Sequence, residues 1–416
     1  MLTRRALIKG LMLSGGLCLM PFGRRGWALA AAAVVPRRLI VILMRGAVDG
    51  LSIVTPYMEP NYYRVRSSIA LAPPRQQDGL LDLDGFFGLH PSLQPVMPYW
   101  QDRSLAFIQA SGSPAETRSH FEAQDIMETA LLNSAMAKQG WMNGLAQILP
   151  DNHSATRALS FGNVLPKIFQ GAHDIATIPT GIKSNGGKPL EDPKLEHEFA
   201  QLYGSSSQLG GLYKQGMDSR VTVMNDLGDD QELQKEMQSA SGGAPNTDAF
   251  VGECVKAADI VRHDPTIQLM FMDVGGWDTH VGQGNAKGQL ANKLQRLGEG
   301  LAALVTGLQK EYLNTTILVM SEFGRTVAQN GNNGTDHGHG NVAWIMGGNV
   351  NGGKVYGRWP GLEPNQLYVG RDLAVTTDFR SIIGAVAGGQ FGLDADTLRR
   401  VIPNFQPDAG LQNLMI

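Results

Sequence analysis

The chain alternates between uninterrupted apolar runs and amphipathic stretches. Positions 37–44, Arg-Arg-Leu-Ile-Val-Ile-Leu-Met, read as a strand buried on both faces. Positions 104–110 read as a second buried strand, ending in Ser111-Gly112-Ser113-Pro114. Between them, 90–101 looks helical and is entered through His-Pro-Ser. Positions 116–136 carry Phe121, Ile126, Met127, Ala130 and Leu131 at helical spacing and predict a helix. The middle is less regular, with a strand expected within 155–165 and helices around 195–203 and 230–238. Alternation then returns, with a helix over 250–261, a strand over 266–274, a long amphipathic helix over 286–313, and strands over 315–320 and 342–346. Positions 347–357, rich in Gly and Asn, read as a hairpin or loop. Helices alternating with buried strands predict an α/β fold with a parallel sheet and right-handed crossovers. Positions 170–245 fit either an inserted lobe over the active face or a surface loop. Within them, Ser239-Ala240-Ser241-Gly242-Gly243-Ala244-Pro245-Asn246 reads as a flexible linker.

Composition narrows the class. Of 416 residues, 43% are hydrophobic and 18% charged, as in ordinary globular proteins. The amino terminus stands apart. Thr3-Arg4-Arg5-Ala6-Leu7-Ile8-Lys9 resembles a twin-arginine export motif, and small residues from Ala28 to Ala33 offer cleavage sites. The Gly-rich apolar stretch between them is shorter than the roughly 20 residues a spanning helix needs. We therefore expect residues 1–30 to be a signal peptide, with a periplasmic or secreted product and no stable membrane span. An uncleaved anchor is the alternative. Removing 1–30 takes away five basic residues and no acidic ones, leaving 30 basic against 38 acidic residues and a formal charge of -8. That balance argues against a nucleic-acid surface. Cys254 alone remains of the two cysteines, so the mature chain forms no internal disulfide.

Candidate chemistry gathers where the strands end. Gly275-Gly276-Trp277-Asp278-Thr279-His280 follows one buried run and Ser321-Glu322-Phe323-Gly324-Arg325 another. Thr335-Asp336-His337-Gly338-His339-Gly340 is the third cluster. Asp, Glu and neutral His bind divalent cations, and open α/β sheets bind ligands beyond the carboxyl ends of their strands. Asp49, after the first strand, suits a cation or an Asx-turn. Asp278 and His280 can converge on one ion or on two. Glu322, leaving a buried run, needs a cation or Arg325 as its partner; Arg325 could equally grip an anionic substrate. Asp336, His337 and His339 form a compact ligand loop, or a mobile Gly/His loop without metal. Ser111, Ser113, Thr117 and Ser119 precede a helix, where a hydroxyl is either an activated nucleophile or a cap. His120 adds a base or a ligand.

These segments, with Arg-Gly-Ala-Val-Asp-Gly-Leu, His-Pro-Ser-Leu and Arg-Ser-His-Phe-Glu-Ala-Gln-Asp, resemble the domain-of-unknown-function 1501 family over nearly the whole chain. That family in turn resembles the alkaline phosphatase and sulfatase superfamily. The resemblance implies a three-layer α/β sandwich, residues 31–416, around a central mainly parallel sheet with an inserted lobe. It also implies one or two divalent ions (zinc, calcium, magnesium or manganese) and a covalent hydroxyl or modified-cysteine nucleophile. Carried over by position, Asp49, Asp278, His280, Glu322, Asp336, His337 and His339 are the expected metal ligands. Ser119, then Thr117, is the expected nucleophile, with His120 beside it and Arg325 or Arg118 facing the anion. Phe323 departs from the pattern, standing where the superfamily has a His ligand. The expected activity is exported, metal-dependent hydrolysis of phosphate or sulfate esters, the substrate being a small anionic ester. The alternative is a non-catalytic exported scaffold with a degenerate metal site, partnered by a domain-of-unknown-function 1800 family protein.

Overall fold

The computed structural model describes residues 36–133, 137–150, 157–180, 239–264 and 266–416. The amino-terminal segment, most of the insertion and the helices expected near 195–203 and 230–238 lie outside the described residues. Twelve strands are present among the described residues. The first, β1 (Arg38–Met44), is followed by β2 (Val54–Thr55), β3 (Leu81–Asp82) and β4 (Gly88–Leu89), which make a small antiparallel sheet. The others are β5 (Leu105–Gly112), β6 (Ala158–Phe161), β7 (Ala176–Ile178), β8 (Leu269–Val274), β9 (Thr315–Ser321), β10 (Asn341–Gly347), β11 (Lys354–Tyr356) and β12 (Thr377–Asp378). With β1 they form one sheet in the order β11-β5-β10-β9-β1-β8-β6-β7, with β12 also paired to β5. Only β10 runs against the rest, antiparallel to both β5 and β9.

Helices of eight residues or more are α1 (His120–Thr129), α2 (Trp141–Ile148), α3 (Thr247–His263), α4 (Gln289–Leu308) and α5 (Phe379–Phe391). Strand alternation explains how they flank the sheet. Ile40, Ile42 and Met44 of β1 point into a core shared with Phe250 of α3 and Leu294 and Leu301 of α4. Leu39, Val41 and Leu43 point the other way, onto Ile126 of α1, Trp141 of α2 and Ile382 of α5. The result is a three-layer α/β sandwich with a mainly parallel central sheet. A fully buried leucine such as Leu301 contributes roughly 1.5–3 kcal/mol by leaving water.

Some elements differ from the sequence pattern. The helix expected over 116–136 is the shorter α1, because Ser119 is extended and caps it while Ala130 closes it in the left-handed region at φ 57°. Phe121, at helical spacing with the core residues, is instead 62% exposed. The 90–101 segment is a 3-10 turn, Pro91–Val96, running into a short α-helix, Met97–Gln101. Residues 239–246 are docked rather than free. Ala240 O accepts from Gln124 Nε2 at 2.7 Å, Ser241 Oγ from Gly276 N at 2.9 Å, and Pro245 O from Gly275 N at 2.8 Å.

The register sets up the functional edge. Met44 of β1 pairs with Val274 on one side and Ser321 on the other, so β1, β8 and β9 release their loops at one level. Because β10 runs in reverse, its amino end, not its carboxyl end, reaches that edge. The His337–Gly340 loop leading into it therefore joins the loops leaving the parallel strands. Gly46, at φ 116°, lets two of those loops touch, since a Cβ there would lie 2.8 Å from Asp278 N. No helix of the described residues is long and apolar enough to cross a membrane.

Candidate metal centre

Two loops interlock to build the centre. Gly324 N donates to His339 O at 2.9 Å, and Gly338 N returns a bond to Gly324 O at 2.8 Å. A side chain on Gly324 would collide with the Gly340 carbonyl. This crossing brings His337 over Asp278, which leaves β8, while His120 enters from the first turn of α1.

Three imidazoles and one carboxylate meet there. His120 Nε2 lies 2.9 Å from His337 Nε2, and His280 Nε2 lies 3.0 Å from the same atom. Asp278 Oδ1 is 3.0 Å from His280 Nε2 and 3.4 Å from His337 Nε2, while Asp278 Oδ2 is 3.7 Å from His120 Nε2. His120, Asp278 and His337 have the spacing of a metal-binding group. Tetrahedral bonds of about 2.0–2.1 Å to nitrogen or oxygen imply ligand–ligand edges of about 3.3–3.4 Å. The five separations bracket that edge.

Proton counting makes the same case. His120 Nδ1 is 2.8 Å from Glu322 Oε1, and His280 Nδ1 is 3.1 Å from Asp336 Oδ1. Ionised carboxylates only accept, so each Nδ1 carries a hydrogen, and a ring that sheds its second proton turns a lone pair at Nε2 inward. His337 Nε2 faces both of these nitrogens, and His280 Nε2 also lies 3.4 Å from Arg325 Nη1. Asp278 Oδ2 is buried with no hydrogen-bond partner among the described residues. A cation held by these nitrogens and by Asp278 would satisfy them together, so the residues present fit a metal. Three imidazole nitrogens with one carboxylate suit zinc or a similar transition ion; calcium and magnesium take oxygen ligands.

The remaining expected ligands surround this set. Glu322 sits behind His120, accepting also from Gly46 N at 2.8 Å and Gln124 Nε2 at 3.0 Å. Asp336 sits behind His280. Carboxylates in such positions fix the ring tautomer and raise its basicity. His339 is turned away, stacked on Tyr368 with centroids 4.3 Å apart. Asp49 is not brought together with the others. Its carboxylate is held by Arg66 at 2.6 and 3.0 Å, by Ser52 Oγ at 2.7 Å and by Gln283 Nε2 at 2.7 Å. Phe323 packs its ring against His120 and His337.

Arg325 is fully buried and its donors are spent. Nε donates to Ala47 O, Nη1 to Thr335 O, and Nη2 to Gly46 O and to Asp278 Oδ1. It positions the loops and holds one oxygen of Asp278, and has no donor left for a substrate. Ser119 Oγ accepts from Glu122 N at 3.5 Å as the cap of α1, while Thr117 Oγ1 donates to Glu122 Oε2 at 2.6 Å. Arg118 and Arg371 both bond the buried Asp372, and Arg371 Nη2 also donates to His337 O at 2.6 Å. Neither Arg371, Asp372, Arg66 nor Gln283 carries a motif that singles it out in sequence; folding alone assembles them.

The charges respond to this packing. Burial opposes a proton on His120, but Asp278 and Glu322 outweigh it and push the imidazole up to about 9. His337 goes the other way, lowered by burial and by the cationic neighbours Arg325 and His120. Burial would raise the Asp278 carboxyl, yet the three histidines and Arg325 hold it far below the usual range.

The chain matches, over residues 36–402, the family described as "Protein of unknown function (DUF1501)". No curated protein matches it. Solved structures similar to it include Ps i-CgsB, at 13% identity, covering 87% of this chain and 74% of that one with a TM-score of 0.41. The C-terminal periplasmic domain of EcEptC from Escherichia coli is 11% identical, with 91% and 89% covered and a TM-score of 0.40. A protein in the alkaline phosphatase superfamily from Vibrio parahaemolyticus is 9% identical, with 77% and 62% covered and a TM-score of 0.36.

Proposed function

The chain belongs to the DUF1501 family, and from that footing we propose that it is an exported hydrolase of phosphate or sulfate esters built around one divalent metal centre. The observation that carries this reading is the convergence of His120, His280 and His337 on Asp278, whose Oδ2 has no hydrogen-bond partner among the described residues and lies 3.7 Å from His120 Nε2. These four residues would hold the ion, with zinc the best match to the donor set. A bound ion supplies Lewis-acid polarisation of the ester oxygen. Glu322 and Asp336 keep the Nε2 lone pairs of His120 and His280 turned inward. Ser119 is the proposed nucleophile and Thr117 the second choice. The hydroxyl oxygen would bond to phosphorus or sulfur as its proton passes to a nearby base and the ester oxygen departs with a proton as the alcohol; water would then displace the serine oxygen, releasing phosphate or sulfate and restoring the hydroxyl. The long Ser119 cap contact leaves that hydroxyl easily released. Export by the twin-arginine route, with residues 1–30 removed, completes the proposal.

One feature favours a second reading. Four protein donors can fill a tetrahedral sphere, as in structural metal sites. In that case the chain is an exported binding protein, and a domain-of-unknown-function 1800 protein is its proposed partner. A panel of aryl phosphates and aryl sulfates, assayed with the native metal, after chelation and after metal is restored, separates the two. Turnover that disappears on chelation and returns with metal supports the hydrolase. Loss of melting temperature on chelation, with no turnover of any ester, supports the binding protein.

A further inference from the structure

We propose that Arg118 and Arg371, both anchored on Asp372, form the oxyanion-recognition subsite beside the metal centre and receive the tetrahedral phosphate or sulfate group of the substrate. The inference rests on the hydrolase reading above. Asp372 is fully buried. Its Oδ2 accepts from Arg118 Nη2 at 3.0 Å and from Arg371 Nη2 at 3.0 Å, and its Oδ1 from Arg371 Nε at 2.8 Å. Two guanidiniums thus share one buried carboxylate, with the Glu116 carboxylate next to Tyr368 nearby.

Both cations are tied to the centre through the chain. Arg371 Nη2 bonds the carbonyl of His337, and Arg118 lies two positions before His120. Their outer edges are unused. Arg371 Nη1 and Arg118 Nε and Nη1 have no protein partner among the described residues, and the side chains are 41% and 43% exposed. Planar guanidinium forks match tetrahedral oxyanions two bonds at a time. Arg325, a further cation beside the histidines, has no donor free.

The support beneath the pair is rigid. Asp372 N donates to Tyr368 O at 3.0 Å and Tyr368 N returns a bond to Asp372 O at 2.8 Å. Tyr368 is stacked on His339, in the loop that carries His337. Asp372 is thus a positioning residue: it sets the spacing and aim of two arginines that arrive from different segments.

The test titrates the full mature protein, carrying the metal with which it is isolated, with inorganic phosphate and separately with inorganic sulfate by calorimetry. Arg118→Met and Arg371→Met, at partly exposed positions, should each weaken anion binding by about tenfold or more. Metal content should stay at the wild-type level, and Arg371→Lys should recover part of the loss. Tighter phosphate binding marks a phosphate ester as substrate, and tighter sulfate binding a sulfate ester. The proposal is overturned if both methionine variants bind these anions as the wild type does, or if the wild type binds neither. Wild-type protein without metal would count against the metal-centre reading; metal present with arginine-independent anion binding counts against this subsite alone.

Discussion

Replacing Glu322 with glutamine isolates the charge behind His120. The wild-type Oε1 accepts from Gly46 N, Gln124 Nε2 and His120 Nδ1, and Oε2 lies 3.0 Å from Ser321 Oγ. A glutamine oxygen can keep all three donors at the first position. Its amide nitrogen then faces Ser321 Oγ, which already gives its hydrogen to Met44 O and takes one from Val48 N. The hydroxyl has one lone pair left for the new donor. The fold should therefore lose about 1 kcal/mol or less, the worth of an ordinary hydrogen bond. What disappears is the negative charge that strengthens His120 as a ligand. Loss of such a supporting carboxylate typically weakens metal binding about 10–100-fold, roughly 1.4–2.8 kcal/mol. Protons complicate the reading, because the same charge helps push His120 up to about 9. Below that pH the wild-type ring must shed a proton to bind metal, and the variant ring less so. The affinity gap should be widest above about pH 9, where the ring is neutral in both proteins, and should narrow as pH falls. Competition against a chromogenic chelator across this range measures it. A variant that holds metal as tightly as the wild type at high pH refutes the placement of Glu322 behind a ligand.

Three further outcomes follow from other contacts. Asp49→Ala strands Arg66 in the core and should cost about 3–5 kcal/mol in a urea melt while leaving metal content unchanged. Burial would raise the Asp49 carboxyl, but Arg66 holds it below the usual range, so the pair stabilises above the ordinary carboxylate pKa and fades as pH falls through the depressed value; the alanine variant should lose that part of the acid dependence. Ser119→Ala should remove turnover by orders of magnitude if its hydroxyl attacks, against about 0.5–2 kcal/mol of stability if it only caps α1; wild-type turnover in both Ser119→Ala and Thr117→Ala leaves neither hydroxyl as nucleophile. Arg4→Lys with Arg5→Lys should hold the precursor in the cytoplasm, and continued processing, followed by fractionation and blotting, refutes the twin-arginine assignment.

The parts legible in the sequence are those with a strong local cause. β1, β8 and β9 are runs of mostly branched or long apolar residues; β1 and β9 appear within a residue of expectation, while β8, which carries Asp273, begins three residues later than expected. Their parallel order follows from the intervening helices. Local pattern does not reveal direction, and β10 shows the limit: Val342–Met346 reads the same either way, and its neighbours β5 and β9 set its orientation. Site residues divide in the same manner. Asp278, His280 and His337 stand out as ligand types after strands or between glycines. His120 reads as a base or a ligand beside Ser119, and the first turn of α1 points its ring into the centre. Glu322 and Asp336 have the ligand chemistry but sit one step behind, a distinction that needs three-dimensional distances. Arg371 and Asp372 lie in an exposed-looking polar loop with no periodicity to betray them.

The first-strand carboxylate is where the chain departs most from the ligand set that its resemblance implies. A carboxylate buried beyond a strand needs a positive partner, and a metal ion or an arginine can fill that need. Here Arg66 fills it, with two charge-assisted bonds and further bonds to the carbonyls of Val327 and Thr326. Phe323 complements the change, laying a hydrocarbon ring against His120 and His337 where another imidazole ligand was expected. The two departures act together: one removes a donor, the other supplies a permanent cation. An arginine cannot be removed by a chelator or neutralised at any ordinary pH. The end of β1 is therefore held by covalent charge, independent of metal. Among the described residues, the His120, Asp278 and His337 set, with His280 beside it, keeps the spacing that suits an ion, and Asp278 Oδ2 there has no hydrogen-bond partner.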